Sequence, residues 1–149
     1  MVLDYLINSY MKIMNNEETT LSIIKPDAVE RNLSQEIKSL FLNNGFRIIK
    51  EKKIILTKEE AEKFYAVHQT KPFYGELCNY LSSGPIIVMV LSKVNAVLSN
   101  RELMGSTNPK EAKNGTIRKK YGLSIDKNSV HGSDSIENAK KEIDFFFKE

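Results

Sequence analysis

The segment around His131 is the part of this sequence whose residue types favour nucleophilic chemistry. It reads Asn128-Ser-Val-His131-Gly-Ser-Asp-Ser135, so small and polar residues leave an imidazole space and hydrogen-bonding partners. A neutral imidazole can carry a phosphoryl group transiently, and it needs a partner on its other ring nitrogen to fix the tautomer. Glu142 is the candidate partner, because it flanks the apolar face of a predicted C-terminal helix. A surface histidine beside a helix cap is the alternative, and the local pattern alone does not exclude it.

A basic segment precedes this histidine. Residues 101–127 hold seven Lys and Arg residues and three acidic residues, a charge of +4, whereas the whole chain carries +3, so the rest of the chain is at −1. Arg101 precedes the stretch 105–122, and Thr107 and Arg118 lie within it. Guanidinium forks and a hydroxyl suit phosphate oxygens. The segment therefore suits a small anionic ligand at least as well as a long polyanion, and a solvated basic loop is the alternative.

Four more side chains are candidates for ligand contacts. Lys25 ends a predicted strand, just before Pro26, and could reach a ligand at a sheet edge. Tyr65 and His68 are one helical turn apart and could share a face. Phe73 could stack on a nucleobase, a contact worth about 1–3 kcal/mol that barely discriminates among bases. Taken singly, each also fits an ordinary role: an exposed lysine, a packed tyrosine, an exposed histidine and a core phenylalanine.

Composition excludes several classes of protein. The chain has 149 residues, is 41% hydrophobic and 28% charged, and so is expected to form one globular domain. Its single cysteine, Cys78, excludes an internal disulfide framework and a thiolate zinc cluster, and favours a reducing, cytoplasmic setting. P-loop, Rossmann, zinc-protease and nucleophile-elbow motifs are absent. Residues 1–17 are interpreted as an atypical N-terminal extension and not as a signal peptide, because Asp4 stands where a basic region belongs.

The elements that position these residues follow from periodicity and turn signals. Strands are predicted over 19–24, 46–56, 85–91 and 129–131, and helices over 34–44, 59–68, 73–83, 94–104 and beyond a cap at 133–135. In the last helix, Ile136, Ala139, Ile143 and Phe146 are expected to share the buried face. The order predicts an α+β, ferredoxin-like βαββαβ fold. Its sheet would be antiparallel with helices on one face, plus extra helices and a long loop over 105–122.

Taken together, these motifs closely resemble the nucleoside diphosphate kinase family. The resemblance runs in order from about Thr19 to Phe147 and assigns residues 18–149 to one such domain. Its most specific stretches are the run from Asn128 to Ser135 and, ahead of it, Gly115-Thr-Ile-Arg118. The other matching stretches are Thr20-Leu-Ser-Ile-Ile-Lys25-Pro-Asp-Ala-Val, His68-x-x-Lys71-Pro-Phe73-Tyr, Ser83-Gly-Pro, and Arg101-x-x-Met104-Gly-x-Thr107-Asn-Pro.

The resemblance implies an activity and a set of catalytic roles. The enzyme would move the terminal phosphate of a nucleoside triphosphate, mainly ATP, to a nucleoside diphosphate, and so maintain nucleotide pools. His131 would carry a phosphohistidine between the two half-reactions of a ping-pong mechanism. Glu142 would orient His131, and Ser133 would join that network. Tyr65 would help to hold Lys25 or the phosphate.

The resemblance also implies how the nucleotide is bound. Arg101, Thr107 and Arg118 would bind the outer phosphates, and His68 would lie near the inner one. Lys25 and Asn128 would contact the ribose hydroxyl and the travelling phosphate. The base would stack on Phe73, with Ile125 opposite. Mg²⁺ would arrive with the nucleotide, held by phosphates and water and not by protein side chains.

The sequence differs from the usual family pattern at a few positions, and two other functions are alternative hypotheses. Lys71 stands where the family often has Arg, and the chain has a short C-terminus. The family includes dimers, tetramers and hexamers, so a homo-oligomer without membrane or specific nucleic-acid partners is expected. A nucleic-acid-binding ferredoxin-like module is a second hypothesis, disfavoured because the strand over 85–91 is aliphatic. A catalytically inactive nucleotide sensor is a third, disfavoured by the presence of both His131 and Glu142.

Overall fold

A four-stranded antiparallel sheet organises the chain. The structure is a computed structural model that describes residues 2–14 and 17–148. The strands are β1 (Glu17–Ile24), β2 (Arg47–Ile54), β3 (Ile86–Val94) and β4 (Val130–Gly132). Their order is β2-β3-β1-β4, and every neighbouring pair is antiparallel. Residues 86–91 of β3 are all buried, as expected for a continuous apolar strand at the centre of a sheet.

The described residues form eight α-helices, most of which begin or end at recognisable signals. Thr57 caps α4 with a complete capping box, in which its hydroxyl accepts from the Glu60 backbone N–H and the Glu60 carboxylate accepts from the Thr57 N–H. Ser135 caps α8 through its hydroxyl, which accepts from the Asn138 backbone N–H. The helices are α1 (Val2–Met14), α2 (Pro26–Glu30), α3 (Ser34–Asn43), α4 (Lys58–Phe64), α5 (Tyr74–Leu81), α6 (Ala96–Met104), α7 (Ile117–Tyr121) and α8 (Ile136–Phe147).

Two apolar cores lie on opposite faces of the sheet. Ile24 of β1 faces the core that contains α2, α3, α6 and α7, whereas Leu21 and Ile23 face the core that contains α4, α5 and α8. This alternation is the period of two that a strand imposes. The predicted α+β, ferredoxin-like fold is confirmed. The two helices of the βαββαβ plan, α3 and α6, share one face with the extra helices α2 and α7, whereas the extra helices α4, α5 and α8 cover the other face.

Several local predictions differ from the structure. The helix predicted over 59–68 ends at Phe64 and is followed by a 3₁₀ turn at Ala66–His68. β3 continues to Val94, and α6 starts only at Ala96, after Asn95 has turned the chain with a φ of 52°. The stretch 105–122 is not structureless, because it contains a 3₁₀ turn at Pro109–Glu111 and the helix α7. Ile136 is 65% exposed and not part of the buried face of α8, since it occupies the first helical position, away from the core.

The N-terminal extension forms helix α1. The apolar side chains at positions 2, 3, 5, 6, 7 and 10 are between 50% and 75% exposed. Residues 1, 15 and 16 of the predicted extension, and residue 149 of the predicted domain, lie outside the described residues. Among the helices of the described ranges, none combines the length and the apolar character needed to cross a membrane.

Candidate active site

His131 lies on the edge strand β4, opposite Ile23 of β1. Its Nε2 atom is 2.8 Å from Oε1 of Glu142, which α8 brings back over the sheet. The hydroxyl of Ser133 donates to the same carboxylate oxygen at 3.0 Å. Both the His131 and the Glu142 side chains are 20% exposed, so the pair is shielded but can be reached from solvent. The three predicted residues therefore form one connected group.

Ser133 also joins this group to the central sheet. Its backbone N–H donates to the carbonyl of Leu21 at 3.2 Å, and its hydroxyl accepts from the Leu21 N–H at 3.4 Å. Leu21 is fully buried in β1. The carboxylate of Glu142 is thus held by a serine that is itself fixed to the most buried part of the fold.

Phe64, at the end of α4, packs against the imidazole. The two ring centroids are 5.3 Å apart with an interplanar angle of 75°, an edge-to-face arrangement. Phe64 also contacts Phe145 and Phe146 of α8, the helix that carries Glu142. An aromatic cluster therefore supports the histidine and its carboxylate partner from the same side. Phe64 was not predicted from the sequence, because an aromatic residue at the end of a helix has no signal that separates it from ordinary core residues.

Lys25 and Asn128 meet where β1 ends and β4 begins. The ammonium of Lys25 donates to Oδ1 of Asn128 at 2.9 Å, and Nδ2 of Asn128 donates to the carbonyl of Thr107 at 3.1 Å. Lys25 is only 6% exposed. Burial, together with the positive charge of Arg118, lowers the pKa of Lys25 to about 8, while Asp27 and Asp126 act in the opposite direction. Burial therefore disfavours the charged form of this lysine, and an anionic ligand would stabilise that form.

Arg118 is fixed by two backbone carbonyls. Its guanidinium donates to Gly105 at 3.0 Å and to Val130 at 2.9 Å, and Val130 directly precedes the histidine. Its buried Nε atom has no hydrogen-bond partner within the described residues. Burial and the neighbouring charge of Arg101 lower the pKa of Arg118 to about 10. Arg118 and Arg101, whose charges repel each other, form a cationic region suited to phosphate oxygens.

The predicted aromatic residues form a chain of ring contacts that starts inside the protein and reaches its surface. Tyr65 is buried, and burial, followed by the charges of Cys78 and Glu142, raises its pKa. Its ring lies 6.1 Å from that of His68, and His68 lies 6.1 Å from Phe73, which is 48% exposed. Ile125 is 55% exposed and lines a groove together with Pro109, Lys119 and Leu123. Within the described part of the chain, the lining of that groove does not include Phe73.

Two further predicted residues, Arg101 and Thr107, precede α7 in the sequence. Arg101 lies in the last turns of α6, and Thr107 lies in the connection that follows; both are exposed. Within the described residues, no group of three or more His, Cys, Asp or Glu side chains could hold a metal ion. The site thus combines a carboxylate-bound imidazole with lysine and arginine side chains, an arrangement suited to phosphoryl transfer.

A family model described as "Nucleoside diphosphate kinase" matches residues 18–149. The chain belongs to the nucleoside diphosphate kinase family. A nucleoside diphosphate kinase of Campylobacter jejuni subsp. jejuni serotype O:6 (strain 81116 / NCTC 11828) is 60% identical over 131 residues, which are 88% of this chain and 96% of that relative. One from Campylobacter fetus subsp. fetus (strain 82-40) is 60% identical over 130 residues, 87% of this chain and 95% of that relative.

Solved structures of the nucleoside diphosphate kinase family share the fold. The Aquifex aeolicus enzyme superposes with a TM-score of 0.87 at 40% identity, over 89% of this chain and 96% of that one. The enzyme from Encephalitozoon cuniculi gives a TM-score of 0.86 at 39% identity, over 89% of this chain and 90% of that one. The prediction of a nucleoside diphosphate kinase enzyme is confirmed by these similarities together with the family match.

Proposed function

We propose that the chain transfers the terminal phosphate of a nucleoside triphosphate, mainly ATP, to nucleoside diphosphates through a phosphohistidine at His131. The observation that carries this proposal is the 2.8 Å contact between His131 Nε2 and Glu142 Oε1. A carboxylate at Nε2 favours the tautomer with its proton there, which leaves the lone pair on Nδ1. The imidazole is then a nucleophile with a defined attacking atom.

The reaction consists of two reciprocal displacements. In the first, Nδ1 of His131 attacks the γ-phosphorus, a nitrogen–phosphorus bond forms, and the bond from that phosphorus to the bridging oxygen breaks. The electron pair leaves on the β-phosphate of the diphosphate product. In the second, a terminal oxygen of the acceptor diphosphate attacks the phosphohistidine and releases the imidazole. Glu142 stabilises the positive ring throughout, and Ser133 keeps the carboxylate in place.

The cationic side chains bind the phosphates in this proposal. Arg101, Arg118 and Thr107 contact the outer phosphates, and His68 lies near the inner one. Lys25 and Asn128 hold the ribose hydroxyl and the phosphate in transit, and Tyr65 supports that region. Phosphoryl transfer depends mainly on positioning and charge stabilisation, and the low exposure of Lys25 strengthens its electrostatic effect.

Base recognition is expected to be permissive. Phe73 and Ile125 offer apolar surfaces that are about half exposed, and apolar surfaces stack on any base without reading its edge. Mg²⁺ belongs to the substrate, because its oxygen ligands would come from the nucleotide phosphates and water. The lysine and arginine side chains of the site suit the phosphates of that complex and not the metal itself. An enzyme of low base selectivity would balance triphosphate pools, and we place it in the cytoplasm.

The oligomeric state and the alternative of a nucleic-acid-binding module can both be tested. We expect a homo-oligomer, either a tetramer, a hexamer or a dimer, which a sizing experiment determines. A nucleic-acid-binding module is disfavoured by β3, whose residues 86–91 are aliphatic and buried and offer no stacking aromatics. Filter binding across a salt series tests it, because a polyanion interface would weaken steeply with salt.

Labelled ATP tests the proposed function directly. Incubation with ATP labelled at the γ-phosphate should give acid-labile, base-stable label on the protein, and addition of dTDP should remove it as labelled dTTP. The His131→Ala variant should acquire no label and exchange no phosphate. Comparable exchange by His131→Ala, with the variant folded, would show that the mechanism is wrong.

A further inference from the structure

We propose that Asp27 is a positioning residue. It holds together the two chain segments that carry Lys25 and Asn128, and so fixes the geometry of that pair; we call this arrangement the clamp. The inference rests on the proposed function, in which that pair holds the ribose and the travelling phosphate. Within the described residues, no hydrogen bond or ion pair joins the Asp27 side chain to either member of the pair. It acts through Ser129, which directly follows Asn128 in the sequence.

The carboxylate of Asp27 is the centre of a buried hydrogen-bond network. Its side chain is 3% exposed. Oδ2 accepts from the hydroxyl of Ser129 at 3.2 Å and from the guanidinium of Arg31 at 3.1 Å. Oδ1 accepts from the hydroxyl of Tyr80, and the Asp27 N–H donates to that same phenolic oxygen at 2.9 Å. A carboxylate taken out of water is tolerated when its oxygens are satisfied in this way.

Two bonds join residues 25–27 to Ser129, apart from the bond between the side chains of Lys25 and Asn128. One runs from the Lys25 N–H to the Ser129 carbonyl, at 2.9 Å, and the other is the bond from Ser129 to Asp27. Ser129 has a φ of 75°, a conformation that residues other than glycine seldom adopt. Such a backbone persists only where its surroundings hold it. The Ser129 hydroxyl contributes to this by donating to Asp27 Oδ2 at 3.2 Å and accepting from the Arg31 guanidinium at 3.4 Å.

The same network reaches the arginine-bearing helix. Arg31 donates to Asp27 Oδ2 and also to the carbonyl of Tyr121, the last residue of α7, at 2.7 Å. Arg118 belongs to that helix. The buried carboxylate is therefore connected, through Ser129 and Arg31, to the segments that supply Asn128 and Arg118, and it lies two residues after Lys25.

Asp27 has an electrostatic effect that a purely structural residue would lack. Its charge raises the pKa of Lys25, opposing burial and the nearby charge of Arg118, and Asp126 acts in the same direction as Asp27. Replacing Asp27 by the isosteric Asn should therefore lower the pKa of Lys25. The expected signature is an alkaline limb of the pH profile for nucleotide binding that moves to lower pH.

Serine variants test the clamp with a matched control. Ser129→Ala and Ser129→Gly both remove the hydroxyl, but only glycine relieves the backbone strain at this position. Ser82→Ala is the control, because it removes a similar hydroxyl bond, to the Cys78 carbonyl at 2.8 Å, away from the site. We expect both Ser129 variants to lose about tenfold in kcat/KM, the equivalent of one hydrogen bond, and Ser82→Ala to stay within about twofold.

Three outcomes would overturn the proposal: wild-type kcat/KM in Ser129→Gly, a loss in both Ser129 variants no larger than that in Ser82→Ala, or an unmoved alkaline limb in Asp27→Asn. A separate readout is the ¹⁵N relaxation of the Asn128 side-chain amide, which should become mobile in both Ser129 variants and stay ordered in Ser82→Ala. If the wild-type chain exchanges no phosphate, the proposed function fails, and the Asn128 amide still decides whether the clamp exists. An amide that stays ordered in all variants refutes the clamp.

Discussion

His131 and Glu142 are joined across 2.8 Å, although one lies on the edge strand β4 and the other on the second turn of α8. The segment between them contains only the end of the strand, the Ser135 cap and the start of the helix. This short connection returns the carboxylate to the strand at the level of the imidazole. The proposed nucleophile and its proposed orienting group are therefore joined through one local turn of the chain.

Replacing Glu142 tests this relationship. Glu142→Ala removes the acceptor at His131 Nε2, so both tautomers become populated and the positive ring loses its counter-charge. We expect the rate of phosphoenzyme formation to fall by about 10²-fold, in the range typical of proton-handling groups, with little change in nucleotide KM. Rapid-quench measurement with labelled ATP gives that rate. Glu137→Gln is the control, since Glu137 is exposed on the same helix and pairs only weakly with Lys141 at 3.5 Å. Equal rates in Glu142→Ala and the control would contradict the assigned role.

The buried lysine predicts a pH dependence of nucleotide binding. The pKa of Lys25 is lowered to about 8 in the folded, unliganded protein, so the ammonium is charged below that pH and becomes neutral above it. ADP affinity, measured by calorimetry between about pH 6.5 and 9.5, should therefore fall as the pH rises through about 8. Lys25→Met should remove this step while weakening binding at low pH. A step of the same size in Lys25→Met would assign the titration to another group.

The same shift has the opposite sign for stability. Between about pH 8 and the ordinary lysine pKa of 10.5, the unfolded chain holds a proton that the folded chain has released. The contribution of Lys25 to the free energy of unfolding therefore rises with pH in that window. Urea unfolding of the wild type minus that of Lys25→Met isolates this contribution, and a difference that falls with pH would oppose the assignment.

Gly132 is predicted to be intolerant of a side chain. A Cβ there would lie 2.4 Å from Nδ2 of Asn100 and 2.7 Å from Cε of Met104, and both residues are buried. Gly132→Ala should destabilise the fold by about 1–3 kcal/mol through overpacking, as measured by chemical denaturation. Asn100→Ala should restore much of that loss, because the Asn100 amide has no hydrogen-bond partner within the described residues.

Gly75→Ala provides the matched control for that prediction. Gly75 lies in α5, and a Cβ there would meet nothing within 4 Å. Alanine should stabilise this helix by up to about 1 kcal/mol relative to glycine. If the two alanine variants changed stability by the same amount, the crowding at Gly132 would not be the cause.

Removal of residues 1–16 should leave phosphate exchange unchanged. The family match begins at residue 18, and the apolar side chains of α1 at positions 2, 3, 5, 6, 7 and 10 are at least half exposed. Exchange of phosphate from ATP to dTDP, measured beside the full chain, checks this. Thr57→Ala, which removes the α4 cap and should cost about 1 kcal/mol, shows how far a purely structural loss affects the same assay. A larger loss on deletion than in Thr57→Ala would show that the extension takes part in the activity.

Sequence alone was sufficient where local signals and chemistry coincide. The Thr57 capping box, the apolar run in β3 and the glycine-flanked His131 each carry a physical signature within a few residues, and the structure places strands and helices accordingly. The family motifs led to the polar residues of the site. Periodicity failed at Ile136, because the first position of a helix satisfies the spacing of the apolar face without lying above the core.

Contacts between residues far apart in the chain could not be predicted from the sequence. Asp27 and Ser129 are 102 positions apart, and neither residue type signals that one bonds the other. The aromatic support that Phe64 gives to His131 likewise appears only when α4 and α8 are placed on the same face. Such residues are specified by tertiary packing, which a single sequence does not reveal pair by pair.

The anchoring of the last turn of α8 has a practical consequence. Phe146 is buried, its carbonyl accepts from the ammonium of Lys52, and that ammonium also lies 4.9 Å from the centre of the Phe147 ring. Glu142 precedes Phe146 by one turn. We therefore expect that loss of the Lys52 contacts would move the Glu142 carboxylate away from the imidazole. Fluorophores, affinity handles and surface tethers are therefore better attached through α1, whereas trimming at Phe146 should silence the enzyme while most of its secondary structure survives.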